Sequence, residues 1–132
     1  MGFISADDIL GTADRKHVDV EVPEWGGTVR LMELSGDDAD AFGGYAQAQR
    51  NPDGSQNIKG IRAKLVGLSM VDEKGKRLFS DDAAERKLGK KSGAVLGRLF
   101  EEALKLNGMS QDAQDALLEN FGDGQSEPST SA

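Results

Sequence analysis

HVDVEVPEWGGTVRLMELSG, residues His17 to Gly36, is the stretch whose reading decides the fold. Before the proline the sequence alternates. Val18, Val20 and Val22 fall on one side and Asp19 and Glu21 on the other, the period-two pattern of a half-buried strand. After the paired glycines, Thr28–Leu34 (TVRLMEL) reads as a second strand, with Val29 and Leu31 on one face. Pro23 and Gly26-Gly27 lie between them, so a hairpin with a short loop is expected, both glycines permitting positive φ angles. Trp25, the only tryptophan, sits at this turn. Its indole is expected to fold back over the sheet face as a structural plug that fastens the strands to the rest of the chain, in preference to serving as a partner contact.

Outward from the hairpin the pattern is helical. Ser5 caps a helix of about two turns that carries Asp7 and Asp8 at its positive end and stops at Gly11. Ser35 caps a second helix with Phe42, Tyr45, Ala46 and Gln49 at helical spacing, weakened in its middle by Gly43-Gly44 at roughly 1 kcal/mol each. NPDGSQ (51–56) is a loop. Ile58, Ile61, Leu65 and Leu68 form one apolar stripe, with Lys59, Arg62 and Lys64 off it. The polar turn DEKGKR (72–77) can join Met70-Val71 to Leu78-Phe79 as a second short hairpin. Ser80-Asp81-Asp82 caps a short polar helix to about Lys90. Ser92 starts SGAVLGRLFEEALKLNG, whose apolar face is Val95, Leu96, Leu99, Phe100, Ala103 and Leu104; Glu101 and Lys105 are spaced for an ion pair, and Asn107-Gly108 is a left-handed stop. Ser110 caps a last amphipathic segment, SQDAQDALLENF, with Ala113, Leu117, Leu118 and Phe121 on one side.

The expected fold is therefore α+β, mainly α: a small helical domain with an N-terminal β-hairpin and room for a second short one. Residues 1–121 are expected as one compact domain, with 1–34 the short helix plus β-hairpin and 35–121 the helical part. Residues 122–132 (GDGQSEPSTSA) are expected as a disordered tail.

Composition narrows the chemistry. The chain has 132 residues, no cysteine and a net charge of −7. Disulfides and thiolate zinc sites are excluded. No apolar run approaches the roughly 20 residues of a membrane span, and the start MGFISADDIL lacks the basic region of a secretory signal. Charge is uneven: residues 1–57 hold 4 Lys/Arg and 11 Asp/Glu, residues 58–105 hold 12 and 7, and residues 106–132 hold none and 5. The basic middle reads as a solvated helical surface rather than a nucleic-acid interface, because the chain is acidic overall and the tip at Lys74, Lys76 and Arg77 has no stacking aromatic. The one histidine, His17, reads as a strand-end surface residue. LGKKSG (88–93) is not a phosphate loop: Ala84 stands where the first glycine belongs, and Lys91 intervenes before Ser92. NPDG is not a calcium loop, since its first and last ligand positions would be Gln49 and Gly60. No catalytic constellation, cofactor site or metal site emerges.

Three pieces, in order, carry a resemblance. VPEWGGTVRLMELSGDD, LVGLSMVDEKGKRLFSDD and LGKKSGAVLGRLFEEALKLNGMS resemble tail assembly chaperones of long-tailed, siphovirus-type bacteriophages, most closely those of phages infecting actinobacteria. The resemblance covers about residues 5–112. Met32 and Ala39-Asp40 stand where that family often has an arginine and a glutamate-arginine pair, so no role passes to a basic residue there. The resemblance implies a non-enzymatic protein of the host cytoplasm that binds the tape measure protein during assembly. It implies a longer form made by ribosomal frameshifting, an indirect link to the tail tube protein, and absence from the finished virion. In that setting the client is expected on the apolar faces of the last two helices, centred on Leu99, Phe100, Leu117, Leu118 and Phe121; the alternative is that these faces pack on each other and on the Ile58–Leu68 stripe, which is favoured for residues 92–107. The other readings are a structural tail or connector protein of the virion, and a small winged-helix-like nucleic-acid-binding protein.

Overall fold

The computed structural model describes residues 2–55 and 60–108. The alternating valines form β1 (His17–Val22), and Val22 is wholly buried while Asp19 and Glu21 face solvent. A 3-10 turn, Pro23–Trp25, follows, and β2 (Gly27–Met32) returns antiparallel with Val20 opposite Val29 and Val18 opposite Leu31. Only Gly26 takes a positive φ, +80°; Gly27 is already the first residue of β2. The turn therefore needs one glycine, not two, because the 3-10 geometry of Pro-Glu-Trp makes most of the reversal itself. Asp19 and Arg30 stand opposite each other and pair bidentately, at 2.8 and 3.1 Å.

The second hairpin exists in miniature and does more than expected. β3 (Met70–Val71) adds to β2, with Leu31 opposite Met70, so the described strands form one antiparallel sheet in the order β1-β2-β3. The return arm contributes one bridge, Val71 to Arg77, and a hydrogen bond from the Leu78 amide to the Met70 carbonyl. The Asp72 carboxylate shapes the turn by accepting from the Lys74 and Lys76 amides, and Gly75 supplies a φ of +84°. The amides hold the Asp72 carboxyl below the usual carboxylate value.

Helices cover the sheet. α1 (Ala6–Gly11) precedes it; α2 (Gly36–Ala48), α3 (Ile61–Ser69), α4 (Asp82–Leu88) and α5 (Gly93–Leu106) follow. Each cap was legible: Ser5, Ser35, Asp81 and Ser92 accept a hydrogen bond from a first-turn amide of α1, α2, α4 and α5. α3 lies at the centre, packed on α2, α4, α5 and β2. It is not a stripe against solvent. Ala63, Val66, Gly67 and Ser69 are buried along with Ile61, Leu65 and Leu68, because small residues let neighbours close on its other sides. Ser69 satisfies its hydroxyl by donating to the Leu65 carbonyl at 2.8 Å. The expected member Ile58 lies outside the described residues, as do the segment 110–121 and the tail 122–132.

α5 closes the core from the other side, against α3, β1 and β2. Its end differs in detail from the expectation. Asn107 is not left-handed; its φ is −86°, its side-chain oxygen accepts from the Leu34 amide at 2.9 Å, and Gly108 takes the positive φ. Lys105 pairs with Glu102 at 3.8 Å, where Glu101 had been expected.

Candidate functional site

No group of His, Cys, Asp and Glu that could hold a metal ion stands together among the described residues, and the surfaces considered for function are those the core uses and those it leaves out. Leu99 and Phe100 are fully buried, packed in one cluster with Ile61, Leu65, Val66 and Leu104. Packing is thus what the structure shows for residues 92–107, and the folded domain presents neither Leu99 nor Phe100 to a client. The physical reason is supply: a small core short of aromatics has no larger side chain than Phe100 to fill its middle. Leu117, Leu118 and Phe121 lie outside the described residues.

Trp25 is half-buried and packs on the edge of that cluster. Its neighbour Glu24 ties the same turn to α5 through two 3.0 Å hydrogen bonds from Arg98. The Arg98 guanidinium, helped by Glu24's own amide, holds the Glu24 carboxyl down at about 2. His17 is exposed at the start of β1.

A cluster that the sequence did not reveal sits on α4. Glu85 is 6% exposed, in a helix that reads as polar. One carboxylate oxygen accepts from Lys64 and the other from Arg77, both at 2.8 Å. Arg77 also donates to the Phe79 carbonyl at 2.6 Å and stands 4.0 Å from Asp38, while its Nε is buried without a hydrogen bond among the described residues. Burial works against the charge on Lys64, but Glu85 and Asp82 more than offset it and raise its pKa. The cluster pins α4 to α3 and to the β3 turn. Gly67 makes room for it, since a Cβ there would stand 3.0 Å from the Glu85 Cγ.

Beside this cluster an open cleft of about 970 Å³ runs between α2, α3 and α4. Tyr45, Ala63 and Ala83 line it, and Arg86, Lys87 and Lys90 stand along it on the α4 side. Those three cations are exposed and carry no ion pair among the described residues. The Tyr45 ring has Lys64 5.5 Å from its centre, and Gly60, at φ +83°, lies where any Cβ would run into the Tyr45 hydroxyl.

The last surface is α1 with the residues before it. α1 buries nothing, and Phe3, Ile4, Ile9 and Leu10 are 109, 66, 55 and 83% exposed. Its fold is local: Ser5 and Asp8 form a reciprocal capping box, with Ile4 and Ile9 at the positions of a hydrophobic staple.

This combination of a hairpin and a central helix agrees with what the chain is similar to. A sequence model described as phage tail assembly chaperone matches residues 12–117. The chain belongs to the phage tail assembly chaperone family. The fold agrees: the structure of the bacteriophage HK97 tail assembly chaperone superposes with a TM-score of 0.53 at 26% identity, over 70% of this chain and 85% of that one. No curated protein sequence matches. Membership of the family implies an assembly role rather than an enzymatic one. The apolar segment Phe3–Leu10 precedes the residues that the sequence model matches.

Proposed function

We propose that this tail assembly chaperone binds the tape measure protein of a long-tailed phage in the host cytoplasm and keeps it soluble until the tail tube forms around it. Its working partners are the tape measure protein, a longer frameshifted form of the same chain and, through that form, the tail tube protein. The chaperone is released before the virion is finished. The observation that carries this reading is the family match across residues 12–117. Physical chemistry supports it. A tape measure protein is long and apolar, and an acidic chaperone with net charge −7 gives the complex like charge and so solubility. Leu99 and Phe100 seal the core, so client contact is assigned to the stretch 110–121, whose Leu117, Leu118 and Phe121 recur at helical spacing alongside Asp112, Asp115 and Glu119.

The test is co-expression of the tape measure protein with the tagged full chain and with a chain lacking residues 110–132. The full chain retains soluble tape measure protein on the affinity resin, and the truncated chain, folded by circular dichroism, loses it. Undiminished recovery on the truncation overturns the assignment to 110–121.

A further inference from the structure

The cleft between α2, α3 and α4 has an apolar floor of small residues. Ala41 and Tyr45 of α2, Ala63 of α3 and Ala83 of α4 face it, so a helix laid there approaches closely. Its charges do not balance. Lys64, Arg86, Lys87 and Lys90 line it together with Asp82 and Glu85, four cations to two anions. Both anions are engaged: Glu85 gives one oxygen to Lys64 and the other to Arg77, each at 2.8 Å, and Asp82 stands 3.5 Å from Lys64. The excess therefore lies at the C-terminal end of α4, where Arg86, Lys87 and Lys90 are exposed and carry no ion pair among the described residues. Residues 106–132 have the opposite character, with five acids and no Lys or Arg. At helical spacing Ala113, Leu117, Leu118 and Phe121 share one side, and Asp112, Asp115 and Glu119 share the other. We propose that residues 110–121 dock in this cleft of their own chain. The apolar side lies on the floor, and the three acids turn to the mouth, where Arg86, Lys87 and Lys90 stand. The apolar side is then covered until a tape measure protein displaces it, a consequence that rests on the proposed client contact at 110–121.

The choice of occupant rests on charge and on where α5 ends. The Asn107 side chain accepts from the Leu34 amide at 2.9 Å, which holds the end of α5 beside the start of α2. Ala41, the first α2 residue in the cleft, is on the order of 8 Å along that helix from its start at Gly36. Residues 109–112, fully extended, span about 14 Å. So short a tether gives an effective concentration in roughly the millimolar range, above that of a second chain in dilute solution. Asp82, exposed at the other end of α4, repels an acidic segment and so directs its acids towards Arg86, Lys87 and Lys90.

The chain has no cysteine, so a single introduced thiol reports on its own site. Ala41→Cys and Ala83→Cys place one at an exposed position on either wall of the cleft, and Gln47→Cys, exposed on α2 but outside the cleft, is the control. Each full chain, its fold checked by circular dichroism, is alkylated with N-ethylmaleimide over a series of dilute protein concentrations, without client. Both cleft thiols react about tenfold more slowly than the control, as expected of a cleft filled about nine-tenths of the time, and by the same factor at every concentration. Adding Leu117→Ser with Leu118→Ser, which leaves every acid in place, returns both to the control rate. Three results overturn the proposal: cleft thiols that react like the control, protection that grows with concentration and so comes from a second copy, or protection that the two serines leave unchanged. Cleft thiols that react freely in a chain that still retains tape measure protein overturn the docking and leave the chaperone function standing. Protection that the serines abolish, in a chain that retains no tape measure protein, supports the docking and overturns the client contact instead.

Discussion

Replacing Glu85 by alanine removes the one anion that two cations share beneath the surface. Glu85 is 6% exposed, with Lys64 and Arg77 each 2.8 Å from one of its oxygens. Each charge-assisted hydrogen bond is worth about 1.5–3 kcal/mol, and breaking a buried pair from one side costs about 3–5 kcal/mol because the other charge stays behind. Two features reduce that figure. The Lys64 and Arg77 side chains remain 16 and 28% exposed, so water reaches them. Each also keeps a second partner: Asp82 at 3.5 Å for Lys64, and the Phe79 carbonyl at 2.6 Å for Arg77. The expected loss is about 3 kcal/mol, a large part of the roughly 5–15 kcal/mol that holds a domain together. In a chain of this size that lowers the melting temperature by on the order of 10 °C. Glu85→Gln keeps the shape and some hydrogen bonding and loses about 2 kcal/mol. Urea unfolding at neutral pH gives both values, and a double-mutant cycle with Lys64→Met gives the coupling, expected at about 1–2 kcal/mol. A Glu85→Ala protein within about 0.5 kcal/mol of wild type refutes the reasoning, since surface changes have that size. It would mean that water replaces the carboxylate and that α4 is held by its apolar contacts alone.

Three further outcomes follow from the hairpin and its turn. Trp25→Ala loses about 2 kcal/mol, roughly half the cost of truncating a fully buried aromatic, because the indole is half-buried on the core; thermal denaturation measures it, and a stable mutant that no longer retains tape measure protein reverses its role from plug to contact. Gly26→Ala costs about 1 kcal/mol through its φ of +80°, whereas Gly27→Ala, with normal φ and open space, is close to neutral in the same urea titration. The Glu24 carboxyl, held at about 2 against an ordinary 4.5, binds protons less readily folded than unfolded, so its contribution is full above pH 4.5 and disappears as pH falls toward 2. Glu24→Gln therefore flattens the acid limb of stability against pH in that window, and an unchanged limb shows that the Arg98 contact is absent in solution.

Local signals were legible where one residue type does one job. The valines of β1, the serine and aspartate caps and the apolar face of α5 all read correctly, because alternation, capping and helical spacing are properties of a few neighbouring residues. What escaped depends on distant partners. Nothing within Met70-Val71 tells that it will pair with Arg30 and Leu31 as well as with its own turn. The burial of α3 beyond its apolar stripe comes with Ala63, Gly67 and Ser69, small residues whose neighbours the sequence does not name. Glu85 carries no mark of burial, since its two cations lie 21 and 8 residues away. The exposed side chains of Phe3, Ile4, Ile9 and Leu10 were equally hidden: an apolar residue near a cap looks like core until the core is seen to close without it.

The central claim is that the chain keeps a tape measure protein in solution. The most direct measurement is the soluble fraction of the matching tape measure protein when it is expressed alone and when it is expressed with this chain. The account predicts that the client is largely insoluble alone, becomes soluble with the chaperone, and elutes with it as one complex. A client equally insoluble in its presence, or soluble but eluting apart from it, would contradict the account.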